Sequence, residues 1–238
     1  MITQNYVLAV VAAGLLTASL ASAQEMSVEE SYLQESIENM LIREHSQADG
    51  RDSKLIALEY IAEAINHGNT SNDVWNALEY LSLEGLTNQT RENGRLINNF
   101  PDVRARAAIF LGEIGTPAAK NTLLKIMLAE SEPMVLTEAV KSLAKIGLNE
   151  NEETANTISW VVTRFDVLNP DNLLALAALD AYETLAKKNG GLKDLSAVRT
   201  ILRIVDGRYT RSVQDRARQL IFDLRQYNNN GVKGNSGR

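Results

Sequence analysis

Between about residues 50 and 227 the apolar positions recur at helical spacing, in blocks separated by short turns marked by Gly or Asn. Two blocks align residue for residue, Pro101 to Gly115 and Pro133 to Gly147. Val103, Ala107, Leu111, Ile114 and Gly115 of the first recur as Val135, Ala139, Leu143, Ile146 and Gly147 of the second. The skeleton returns as Val213, Ala217, Ile221 and Leu224, and more loosely as Leu174, Ala178, Tyr182 and Leu185. Positions i, i+4, i+8 and i+11 fall on one face of an α-helix. Small residues on that face let helices approach closely, and the closing Gly supplies the left-handed residue that ends a helix.

Each such helix is followed by a second amphipathic pattern: Val74 to Leu83, Pro117 to Ala129, Glu152 to Phe165, and Lys193 to Val205. Pro101, Pro117, Pro133 and Pro170 sit at predicted helix starts, where a missing N–H costs nothing. Thr116-Pro117 and Asn169-Pro170-Asp171 read as a cap followed by the first helical residue. A helix pair of this size cannot bury its apolar face alone and must stack on neighbours. The pattern therefore predicts an all-α fold, an α-α superhelix (a HEAT-like solenoid by the resemblance below) of about four to five helix pairs. The expected organisation is a signal peptide over 1–23, an amphipathic helix and linker over 24–50, a repeat domain over 51–227 and a disordered tail over 228–238. Within 24–50, Val28 to Glu44 predicts one helix with Leu33, Ile37, Met40 and Leu41 on one stripe. Leu86 to Phe100 is a long insertion, and the chain offers no strand or hairpin signal.

The segment from Val103 to Gly115, with Arg104, Ala107-Ala108, Leu111-Gly112 and then Pro117-x-Ala119, resembles a HEAT repeat of the phycobilisome-lyase-like subtype. The resemblance extends from about Asp52 to Tyr227. It implies a right-handed superhelix of antiparallel helix pairs, serving as a protein-binding scaffold, with the second helix of each pair on the concave face. It also implies a structural role for Arg104, bridging to an acidic group near a neighbouring turn, with Asp102 as the local acid. Some relatives of this repeat act on chromophore–protein linkages, but no residue set in this chain carries that activity over.

Composition narrows the chemistry. There is no cysteine, which removes disulfides, thiolate nucleophiles and Cys-ligated metals. The first 23 residues carry no charge, and the apolar run from Val7 to Leu20 closes on Ala21-Ser22-Ala23. That is the pattern of a cleaved signal peptide, too short to span a bilayer comfortably, although its start lacks the usual Lys or Arg; an uncleaved interfacial or membrane helix is the alternative. The expected location is the periplasm, with no transmembrane segment after cleavage. His45 and His67 stand beside predicted turns without a third ligand, so a metal site is not expected. No phosphate-binding loop or nucleophile motif is present, and no cofactor is expected.

Two surfaces carry the functional expectation. On the Glu152-to-Phe165 helix, Ala155, Ile158, Val162 and Phe165 form the inward stripe, and Trp160 projects roughly opposite, beside Asn156 and Arg164. An outward Trp with Asn and Arg neighbours is the composition of a binding hot spot; packing against an adjacent repeat is the alternative. From Lys187 onward there are twelve Lys/Arg against four Asp/Glu, a net of +8, while the rest of the chain carries −14. Arg211, Arg218 and Arg225 repeat every seven residues, and Arg199 and Arg203 form an i,i+4 pair on the preceding helix. This basic end reads either as a solvated cap or as a docking surface for something acidic. The functional expectation is a non-enzymatic periplasmic scaffold that binds a protein or peptide on its concave face and basic end. Nucleic acid is not expected as a partner of an exported chain with an acidic body. Head-to-tail self-association, an anionic envelope polymer or lipid headgroup, and a lyase-like activity are the other readings.

Overall fold

The apolar skeleton residues shared by the aligned blocks fall inside helices, with Gly115 and Gly147 just past the helix ends, and most of the apolar ones are fully buried. Val103, Ala107, Leu111, Val135, Ala139, Leu143, Leu174, Ala178, Tyr182 and Leu185 are at most 1% exposed. The computed structural model describes residues 27–234. The segment expected as a signal peptide therefore lies outside the described residues. Ten α-helices are described: α1 (Val28–Gln47), α2 (Arg51–Asn66), α3 (Asn72–Leu83), α4 (Pro101–Ile114), α5 (Pro117–Ala129), α6 (Pro133–Ile146), α7 (Glu153–Leu168), α8 (Asn172–Asn189), α9 (Leu195–Asp206) and α10 (Arg211–Gly234). A short 3-10 turn, Glu150–Glu152, precedes α7. The chain divides into two compact units between Ile37 and Glu38.

In the first unit, α1 begins with a capping box. The Ser27 hydroxyl accepts from the Glu30 N–H at 3.2 Å, and the Glu30 carboxylate accepts from the Ser27 N–H at 3.0 Å. Val28, Tyr32, Leu33 and Ile37 are exposed. Met40, in the second unit, is also exposed, and the core residue there is Ile42. The apolar stripe expected on α1 is thus present but does not enter a core. An apolar period identifies a helix face, yet it does not supply the surface that would cover it.

The second unit is an all-α solenoid. Helices α2, α4, α6, α8 and α10 pack side by side in one layer, and α3, α5, α7 and α9 in the other. This gives four helix pairs and a final unpaired helix, each element touching its neighbours in series. The small residues explain the close spacing within the even layer. A Cβ on Gly112 of α4 would lie 2.6–3.0 Å from Ser142 of α6, so only Gly permits that approach. Gly115 and Gly147 take the left-handed conformation (φ 70° and 78°), and their N–H groups bond the carbonyls of Leu111 and Leu143. Thr116 caps α5 as expected, accepting from the Ala119 N–H at 3.2 Å.

Three expectations are corrected here. The cap of α8 is Asp171, whose carboxylate accepts from the Leu174 N–H at 2.8 Å, so Pro170 precedes the helix and does not open it. The 86–100 insertion contains a small antiparallel hairpin, β1 (Arg91–Glu92) with β2 (Arg95–Leu96). Its turn is Asn93-Gly94, both with positive φ (49° and 81°), the residue pair a two-residue hairpin turn demands. With strands this short there is no alternating apolar pattern to read, and the dipeptide is the whole signal. Asp102 is not the partner of Arg104; it pairs with Arg51 at 2.6 Å.

Candidate functional site

The odd layer brings the Trp160 neighbourhood together. Ala155, Ile158 and Val162 of α7 are buried and Phe165 packs against the core, which turns Trp160 outward with 47% of its surface exposed. The Arg164 guanidinium lies over the Trp160 ring, 4.7 Å from its centroid, and 5.2 Å from that of Phe165. Arg164 also donates to the Glu130 carbonyl, at the turn after α5. The guanidinium is therefore fixed at both ends of its reach and holds one face of the indole. Asn156, one turn before Trp160, accepts from the Ser196 hydroxyl of α9 and so joins two neighbouring pairs. It positions α9 beside α7 and its amide oxygen is already engaged.

The helices flanking α7 in this layer add what the sequence pattern did not single out. Leu128 at the end of α5 and Leu202 on α9 are exposed. Arg199 and Arg203 of α9 are exposed as well; Arg203 approaches Asp166 of α7 only at 3.9 Å. Exposed Trp, Leu and Arg side chains on three neighbouring helices are the composition that buries an apolar knob and pairs with carboxylates. A face count on α5 and α9 marks Leu128 and Leu202 as outward, but only the stacking shows that these helices flank α7.

On α10, Val213, Ala217, Leu220 and Leu224 are buried, and Arg211, Arg218 and Arg225 are exposed. Arg218 pairs with Asp215 one turn earlier at 2.6 Å, while Arg211 and Arg225 form no ion pair with any described residue. Phe222, four residues after Arg218 and three before Arg225, is 59% exposed and stands within the basic stripe. Arg216 is a different case. It bridges to Asp180 (2.8 Å) and Glu183 of α8 and attaches the last helix to the array.

The turns between pairs hold a chain of buried polar contacts. Lys54 is fully buried, 2.8 Å from the Glu84 carboxylate, and donates to the Ser46 carbonyl at 3.1 Å. The Glu84 carbonyl accepts from Arg104, which also donates to Asn99 (2.9 Å) and in two-pronged fashion to Glu130 (2.7 and 3.3 Å). Glu130 in turn accepts from the N–H groups of Ser131 and Glu132. Lys54 and Glu84, and Arg104 and Glu130, each face an opposite charge, which is the condition for such groups to be tolerated inside a protein, although Glu84 Oε2 meets Lys54 without an aligned hydrogen bond. The structural role expected for Arg104 holds, with Glu130 in the place expected for Asp102. Tyr182 behaves likewise: its hydroxyl meets the Ser159 hydroxyl at 2.8 Å, and burial pushes the phenol above its ordinary range. Of the two histidines, His45 stacks on Tyr60 with ring centroids 6.1 Å apart, and His67 closes α2.

A groove lies in the even layer, between α6 and α8. It has a volume of about 750 Å³, with Met134, Leu173, Leu176 and Ala177 at one end and Lys145 and Lys188 at the other. None of the helices described is long and apolar enough to cross a membrane. No curated protein and no solved structure matches this chain. A family model described as HEAT repeats matches residues 95–159. That stretch runs from β2 through α4, α5 and α6 into α7 and contains both aligned blocks. Together with the stacked helix pairs it supports a HEAT-repeat protein.

Proposed function

We propose that this chain is a non-enzymatic interaction scaffold that binds a protein partner on the odd-layer face centred on Trp160. The observation that carries the reading is the half-exposed indole with Arg164 across one face, on a helix whose layer neighbours α5 and α9 also expose Leu128, Leu202, Arg199 and Arg203. HEAT repeats are commonly protein-interaction scaffolds, and the odd helices are the second members of their pairs, the concave side in a HEAT superhelix. The partner segment offers an apolar or aromatic side chain to Trp160 and carboxylates to the arginines. A buried Trp at an interface centre contributes about 2 kcal/mol or more to binding. Crosslinked capture across a salt series tests the reading. Binding centred on Trp160 weakens only modestly as salt rises, because its main term is apolar burial.

A second reading rests on α10, where Arg211 and Arg225 are exposed without an ion-pair partner among the described residues, and Phe222 beside them is exposed too. Such a stripe fits an anionic envelope polymer or lipid headgroup. Capture that collapses steeply with salt, and that the triple Arg211, Arg218 and Arg225→Glu variant abolishes, favours this second reading. The compartment we propose is the periplasm, from the apolar run closing on Ala21-Ser22-Ala23. Envelope-derived protein then begins at Gln24 on N-terminal sequencing, and a start at Met1 contradicts it.

A further inference from the structure

Among the described residues, an apolar groove and an apolar helix stripe are exposed, and they match each other. One is the groove between α6 and α8, with Met134 and Leu173 exposed at its apolar end. The other is the stripe of α1, where Leu33, Ile37 and Met40 recur at i, i+4 and i+7 and are all exposed. At about 100° per residue that stripe is at least about 140° around the helix from Ile42, the α1 residue committed to the core. Helix-in-groove recognition uses this i, i+4, i+7 set of anchors.

Length and charge agree. From Glu29 to Met40 is about 16 Å at 1.5 Å per residue, and from Met134 to Lys145, the two ends of the groove, is also about 16 Å. Inside the groove Glu138 is paired with Lys141, and Asp180 with Arg216. Lys145 pairs with Glu113, and Lys188 donates to the carbonyls of Ala144 and Lys145 without a carboxylate partner among the described residues. Among the described residues the cation without a carboxylate partner is Lys188, at the C-terminal ends of α6 and α8, and the carboxylate without a cation is Asp171, at the opposite end, where it caps α8. Glu29 and Glu30 stand at the N-terminal end of the α1 stripe.

We propose that the α6–α8 groove is seated by the α1 stripe of a second copy of this chain, running antiparallel to α6 and α8. Glu29 and Glu30 then face Lys188 and Lys145, and Met40 faces Leu173. The helix dipoles oppose favourably in this direction and add where the reverse direction would subtract. The groove of one copy receives the helix of the next, so the contact is heterologous and builds rings or open chains. It is independent of the Trp160 face, which belongs to the other layer.

The absence of native cysteine makes a clean test. Full-length Met40→Cys and Leu173→Cys chains, purified separately and mixed under mild oxidation, should give a mixed disulfide dimer in preference to either homodimer. Replacing Leu173→Cys by Lys145→Cys should lower the yield several-fold. Light scattering should show mass rising with concentration for the wild type, and falling to the monomer value for Ile37→Glu or Leu173→Glu. Both positions are exposed, and unchanged helical circular dichroism checks that the variants fold. Trp160→Ala should leave association unchanged, which keeps this test separate from that of the partner-binding face. A chain that stays monomeric at every concentration overturns the proposal and leaves the groove to a helix from another protein. A higher yield with Lys145→Cys than with Leu173→Cys overturns the orientation, and with it the charge argument.

Discussion

The residues that matter most to stability here are not those that stand out by charge. Arg104 and Arg106 are two positions apart on α4, yet one is buried against Glu130 and the other pairs with Glu59 at the surface. Glu130→Ala leaves the Arg104 guanidinium buried without its carboxylate and should destabilise the array by about 3–5 kcal/mol. Arg106→Ala should cost about 0–1 kcal/mol. Urea titrations of both variants check the contrast, and equal effects would contradict it. The structural role of Arg104 was legible because its repeat position carries it. Its partner was not, since Glu130 lies at the end of the next helix, in a turn with no signature of its own. The Lys54–Glu84 pair was invisible for the same reason: sequence spacing does not reveal which charges a stacked turn will enclose.

At the level of elements, helix existence and order followed from the apolar period, and the second helices over 117–129 and 153–168 lie close to where that pattern placed them. On α1 the same logic places the helix and its stripe but says nothing of what covers the stripe, and it falls short at Asn93-Gly94, where the strands are two residues long. Attachment between elements is a separate matter from their formation. Helix α10 is tied to α8 by Arg216, through Asp180 and Glu183. Hydrogen bonding from Lys187, then from Arg216, holds the Glu183 carboxyl below its ordinary range. A carboxylate whose folded pKa is depressed contributes stability above its unfolded pKa, and that contribution is lost as pH falls through the folded value. Hydrogen exchange in α10 should therefore accelerate on acidification below the ordinary glutamate range, more than in α4. Arg216→Ala should remove most of this difference, and an α10 equally protected throughout would contradict the link.

Across the whole molecule, sequence reasoning found the solenoid because its design is repetitive: each pair needs a neighbour, and the same small and apolar residues recur wherever one is met. The surfaces were less legible. Trp160 could be placed outward by counting along its own helix, but Leu128 and Leu202 on its neighbouring helices, Phe222 in the basic stripe and the α6–α8 groove depend on which helices the stacking makes adjacent. The functional account rests on Trp160 serving a partner and not the core, and that is open to one direct measurement. Trp160→Ala is compared with the wild type by thermal unfolding and by crosslinked capture from envelope extract, quantified for every partner. The account predicts a stability loss below about 2 kcal/mol, since a core Trp would cost about 3–5, together with loss of at least one partner that the wild type and Leu173→Glu both retain. A variant that keeps every partner, or that unfolds as a core substitution would, contradicts it.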